Sequence, residues 1–143
     1  MKQSRRWFLV SAAFAALTVA SCESGPKRKQ TFPTSGKVLL PDGRPAQHAT
    51  VILHPIGDTD PNAVKPHGKV GPDGTFKLTT YETDDGAPAG EYKVTIELWL
   101  AGSRADEAPS NRLSPKLANP ETSGLKATVN AAPTELNPFE LKK

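Results

Sequence analysis

The sequence predicts an all-β domain, a single seven-stranded antiparallel β-sandwich, placed behind an N-terminal leader. Three observations lead there. Apolar and polar residues alternate with period two in several short runs. Fourteen prolines and eleven glycines punctuate 143 residues, which suits many turns and disfavours long helices. No stretch keeps a sustained helical period.

The strands follow in order. Residues 35–40 (SGKVLL) run into Pro41-Asp42-Gly43-Arg44-Pro45, a strong turn. Residues 49–54 place Ala49, Val51 and Leu53 on one face, and Pro55 closes them because proline cannot donate to a ladder. A polar loop spans 57–66. Residues 68–70 and 75–81 flank Gly71-Pro72-Asp73-Gly74 as a hairpin, with Phe76, Leu78 and Thr80 alternating against Lys77 and Thr79. The clearest strand is 92–100. Tyr92, Val94, Ile96, Leu98 and Leu100 share a buried face, while Lys93, Thr95, Glu97 and Trp99 share a wet one. A long polar loop covers 101–124. Residues 125–130 alternate through Leu125, Ala127 and Val129, and 135–141 form a last strand whose Pro138 suits an edge. Two facing sheets can bury these alternating faces, whereas one sheet could not.

Charge narrows the function classes. The formal net charge is +3, but Lys2, Arg5 and Arg6 lie in the first 21 residues, where there is no acid. The remainder carries fifteen basic against fifteen acidic side chains. A neutral domain is a poor partner for nucleic acid, which needs a basic patch to neutralise phosphates. A single cysteine, Cys22, rules out an intramolecular disulfide.

The N-terminus reads as an address. Lys2, Arg5 and Arg6 precede fourteen apolar residues, 7–20 (WFLVSAAFAALTVA). As a helix these would be about 21 Å long, against a hydrocarbon core of about 30 Å, so the run is short for a span and fits a signal peptide. Val19-Ala20-Ser21-Cys22 resembles the lipobox of bacterial lipoproteins. The resemblance implies cleavage before Cys22 and transfer of diacylglycerol to its thiol, with several acyl chains giving a stable membrane anchor. Ser4-Arg5-Arg6-Trp7-Phe8-Leu9 also resembles a twin-arginine export signal, with Val10 where that pattern often has Lys. The expected division is 1–21 signal peptide, 22–33 lipidated Cys22 and flexible tether, and 34–143 β-sandwich.

Several segments together resemble the carboxypeptidase regulatory-like, or transthyretin-like, domains of small bacterial lipoproteins. They are Gly36-Lys37-Val38 with Pro41-Asp42-Gly43-Arg44-Pro45, then 49–55 (ATVILHP), 71–80 (GPDGTFKLTT) and 85–94 (DGAPAGEYKV). The resemblance implies an Ig-like Greek-key sandwich displayed on a membrane, and it brings no catalytic residues. Gly90-Glu91-Tyr92 resembles a tyrosine corner, implying that the Tyr92 hydroxyl bonds back to nearby backbone.

Enzyme signatures are weak. The hydroxyisourate hydrolases of related topology end in Tyr-Arg-Gly-Ser, whereas this chain ends Phe139-Glu140-Leu141-Lys142-Lys143. Intradiol dioxygenases need two Tyr and two His on iron, and no Tyr here is followed by closely spaced His. No Ser sits in a Gly-x-Ser-x-Gly elbow. The expectation is therefore a non-enzymatic module with no cofactor and no metal.

Two other readings are carried forward. His48, His54 and His67 supply three imidazoles that could hold Zn²⁺ or Cu²⁺ if they converge, His48 and His54 sharing a face if one strand covers both. Asp58-Thr59-Asp60-Pro61-Asn62 begins like a calcium loop but has Ala63 and Lys69 where that loop needs Gly and Glu. Trp99 is the candidate ligand contact, since an exposed indole can stack on a sugar or anchor a partner. Packing of Trp99 beneath the 101–124 loop is the preferred structural reading. The expected partners are a membrane, through the lipid, and an envelope protein or glycan.

Overall fold

The computed structural model describes residues 28–58, 60, 63–102, 104 and 106–142. Cys22 and the expected signal segment, 1–21, lie outside the described residues. Within them the protein is all-β. It has β1 (Thr31–Phe32), β2 (Thr34–Leu39), β3 (Thr50–Pro55), β4 (His67–Lys69), β5 (Thr75–Lys77) and β6 (Ala87–Pro88). There follow β7 (Gly90–Glu97), β8 (Trp99–Leu100), β9 (Ser110–Asn111), β10 (Leu125–Val129), β11 (Thr134–Glu135) and β12 (Phe139–Glu140). One 3-10 turn spans Pro115–Ala118.

Two sheets carry the core. The first is antiparallel in the order β10-β7-β3-β4. Its longest ladder pairs Thr50 with Glu97 and Pro55 with Tyr92, so β3 and β7 run in opposite directions along their whole shared length. The second is built around β2, with β5 antiparallel on one side. On the other side β11 and then β12 lie parallel to successive halves of β2.

The parallel pairing departs from the purely antiparallel expectation. The chain after β10 crosses to the other sheet instead of returning as a hairpin within its own, so it meets β2 in the same direction. The expected last strand is also split. Pro138 has no N–H to donate, and β11 and β12 lie on either side of it.

Each of the seven expected strands has a counterpart, the 92–100 strand being divided into β7 and β8, and three short segments, β1, β6 and β9, are added. β1 pairs with β6, so residues 31–32, read from the sequence as the end of the tether, are strand. Their β-branched and aromatic side chains suit a strand better than the polar residues before them do. β8 and β9 form a two-stranded ribbon outside both sheets.

The two sheets share one core. Val38 comes from β2, Val51 and Leu53 from β3, Phe76 from β5 and Val94 and Ile96 from β7. Ala127 and Val129 join from β10, and Leu136, Phe139 and Leu141 from the C-terminal segment. The Phe76 and Phe139 rings stack with centroids 6.3 Å apart. A Cβ at Gly36 would lie 2.6 Å from Phe76 Cζ, so only glycine lets that ring lie across β2. Where the sheets meet, His67 and Thr79 exchange both backbone hydrogen bonds, at 3.0 and 2.8 Å. The turn at 71–74 thus carries the chain from one sheet to the other, with Gly74 at φ +84° as its sequence requires.

Candidate functional site

The site is assembled by the end of β7. The first-sheet ladder stops at Glu97, and Leu98 leaves the strand to pack partly against the core. The Asn111 side-chain oxygen accepts the N–H groups of Leu98 and Leu113, at 3.0 and 3.1 Å, and Arg112 donates its N–H to the Leu98 carbonyl at 2.8 Å. These bonds fix the base of the ribbon, in which Trp99 faces Asn111 and Leu100 faces Ser110.

At the tip, Trp99 is 58% exposed and Leu100 is 39% exposed. The 101–124 loop therefore does not cover Trp99, which corrects the preferred sequence reading. The reason is that Ser110 and Asn111 pair edgewise with Trp99 and Leu100 instead of folding over the ring. Leu100 likewise leaves the buried face on which alternation placed it, because the ribbon no longer follows the sheet.

The indole is held in place. Its Nε1 donates to Glu97 Oε2 at 2.6 Å, two residues back on the same side of the strand. With the N–H occupied and the ring plane set, the chemistry on offer is an apolar aromatic face beside Leu100. Such a face stacks on the C–H side of a sugar ring or fills a pocket on a partner protein.

Thr95 was assigned to the same wet face but is 1% exposed. Its hydroxyl lies 2.9 Å from His54 Nε2 on the neighbouring strand, which satisfies its polar atom inside the structure. Burial, then the nearby Lys65 charge, pushes the His54 pKa below its usual value.

The three histidines do not converge. His54 bonds to Thr95 on β7, and exposed His67 lies 3.3 Å from the Lys65 carbonyl through Nδ1. His48 precedes β3 in a left-handed turn at φ 70°, so the strand does not cover both His48 and His54. Among the described residues no group of three His, Cys, Asp or Glu side chains is placed to hold a metal ion.

The acidic loops act as turn supports. Asp42 Oδ1 accepts the Arg44 N–H at 3.0 Å, and Asp73 Oδ1 accepts the Thr75 N–H at 3.0 Å. Asp58, the first residue of the calcium-like run, accepts Lys29 Nζ at 2.8 Å and the Asp60 N–H at 3.1 Å. Asp85 accepts the N–H groups of Thr80, Tyr81 and Glu82, at 2.6, 3.0 and 3.2 Å. Partial burial alone would raise its carboxyl, but those three donors hold it below the usual carboxylate value.

Tyr92 makes the corner expected of it, its hydroxyl donating to the Pro88 carbonyl at 2.6 Å. Burial first, then the neighbouring Tyr81 and Asp58, pushes its pKa up to about 12.

Fold and site together describe an all-β domain with an aromatic tip at one end of its longest strand. No known protein family, curated protein or solved structure matches the chain.

Proposed function

We propose that the chain is an exported lipoprotein, anchored through Cys22, whose domain is a non-enzymatic interaction or structural module of the cell envelope. On this reading the two sheets form a sandwich of the carboxypeptidase regulatory-like, transthyretin-like type, placed in the periplasm or on an outer-membrane face. The observation that carries it is the position of Cys22. It is the only cysteine, and it stands behind small residues where a fourteen-residue apolar run ends. The titratable groups at the turns support the non-enzymatic part, since Asp42, Asp73 and Asp85 are each engaged with backbone N–H groups.

Membrane fractionation tests the anchor. Wild-type protein should pellet with membranes and Cys22→Ala should be released from them. Retention of Cys22→Ala in the membrane fraction would mean that something other than a lipid on this thiol holds the protein.

A second reading is favoured by the pinned, exposed Trp99: a carbohydrate-binding module that stacks a sugar on the indole. Titrating the protein with envelope glycans by isothermal titration calorimetry should give saturable binding that Trp99→Ala abolishes. Binding unaffected by Trp99→Ala would exclude the ribbon as the sugar site.

A further inference from the structure

We propose that the pole of the domain carrying Ile56 and Val64 rests on the bilayer surface, so that the Trp99 ribbon is presented away from the membrane. The inference rests on the lipid-anchored reading of Cys22 and adds to it a contact face and an orientation.

Where the chain enters the domain is fixed by specific bonds. Lys29 donates its backbone N–H to the Tyr81 hydroxyl at 3.1 Å, and its Nζ meets Asp58 at 2.8 Å. The Arg28 guanidinium lies 5.5 Å from the centre of the Tyr81 ring and 3.8 Å from Glu82. Arg28 is six residues after Cys22. Even fully extended, six residues reach only about 20 Å, so a lipid on Cys22 keeps this entry point close to the headgroups.

The same pole exposes apolar side chains. Ile56 is 47% exposed and Val64 51%. With Pro55, Pro66, Pro88 and Lys29 they line an open groove of about 370 Å³. Large aliphatic groups held in water beside a membrane anchor gain by entering the interfacial layer. The neighbouring cations Lys29 and Arg28 are paired with Asp58 and Glu82, so apolar contact and not headgroup charge is the driving term.

The register of the first sheet sets the opposite pole. Ile56 donates its N–H to the Glu91 carbonyl at the start of β7, and Thr50 faces Glu97 at its end. Eight residues of extended chain separate Glu91 from Trp99, roughly 25 Å at strand rise. A membrane under Ile56 therefore leaves Trp99 facing away.

Tryptophan quenching tests this on the lipidated mature protein, reconstituted into phosphatidylethanolamine–phosphatidylglycerol vesicles that contain acyl-brominated lipid. In the lipidated chain, which begins at Cys22, Trp99 is the sole tryptophan, and Trp99→Phe with Ile56→Trp or Val64→Trp moves the reporter to the other pole. Trp99 should keep its emission, while the Ile56→Trp and Val64→Trp reporters lose most of theirs. Equal quenching at both poles, or stronger quenching of Trp99, overturns the orientation while leaving the anchor intact. Protein that fails to float with the vesicles overturns the anchor, and the orientation with it.

Discussion

His54 Nε2 and Thr95 Oγ1 meet at 2.9 Å across the β3–β7 ladder, joining two polar side chains on adjacent strands. This contact makes the titration of His54 a stability variable. Burial and Lys65 lower its pKa, and Glu97 works weakly the other way. The folded state therefore takes up the proton at lower pH than the unfolded chain, whose histidine titrates near 6.5. Stability should be full above pH 6.5 and fall as the pH drops from there toward the folded value. Nuclear magnetic resonance should place the His54 midpoint below 6.5, and His54→Gln should flatten urea-midpoint stability over that window. A midpoint at or above 6.5 would show that the ring is not held neutral by its surroundings.

Tyr92→Phe removes the hydroxyl that donates to Pro88 and leaves the ring in the core. The loss should be about 1–2 kcal/mol, read from urea unfolding, because a partly buried carbonyl loses its donor. Absorbance at alkaline pH should show Tyr92 ionising near 12, well after an exposed tyrosine.

Asp85→Ala strips three backbone N–H groups of their common acceptor. The expected cost is about 2–3 kcal/mol, more than a surface carboxylate would give. The acid limb should change as well. A carboxylate with a depressed folded pKa contributes stability above the unfolded value of 3.8, and that stability is lost as pH falls through the folded pKa. Asp85→Asn should therefore show a shallower loss of stability below pH 4 than wild type.

Gly86→Ala should be among the most damaging single changes in the domain. Gly86 sits at φ +88°, and a Cβ there would run into the Phe32 carbonyl. Left-handed strain and backbone collision act together, so a loss above about 3 kcal/mol is expected in thermal or urea unfolding. Detachment of β1 from β6 should accompany it, seen as faster amide exchange at Phe32.

Alternation made the first-sheet strands legible in the sequence. Val51 and Leu53, and Tyr92, Val94 and Ile96, recur every second residue, and that spacing alone puts them on one face. The reading broke at Leu98, where the chain abandons the sheet for a partner made of Ser110 and Asn111. Two polar residues in a long loop carry no period that would mark a strand. Thr95 was misplaced because parity assigns a side but knows nothing of the His54 ring that lets a hydroxyl be buried. The parallel run of β11 and β12 along β2 was equally hidden, since a strand's own pattern does not name its neighbour. Of the candidate site, Trp99 was visible as a residue. Its exposure and its bond to Glu97 depend on how the loop pairs, which local sequence does not encode.

The most direct test of the account is the mass of the mature protein recovered from membranes. It predicts a chain that begins at Cys22 and carries diacylglycerol on its thiol. A chain that still begins at Met1, or one that starts at Cys22 with an unmodified thiol, would contradict it.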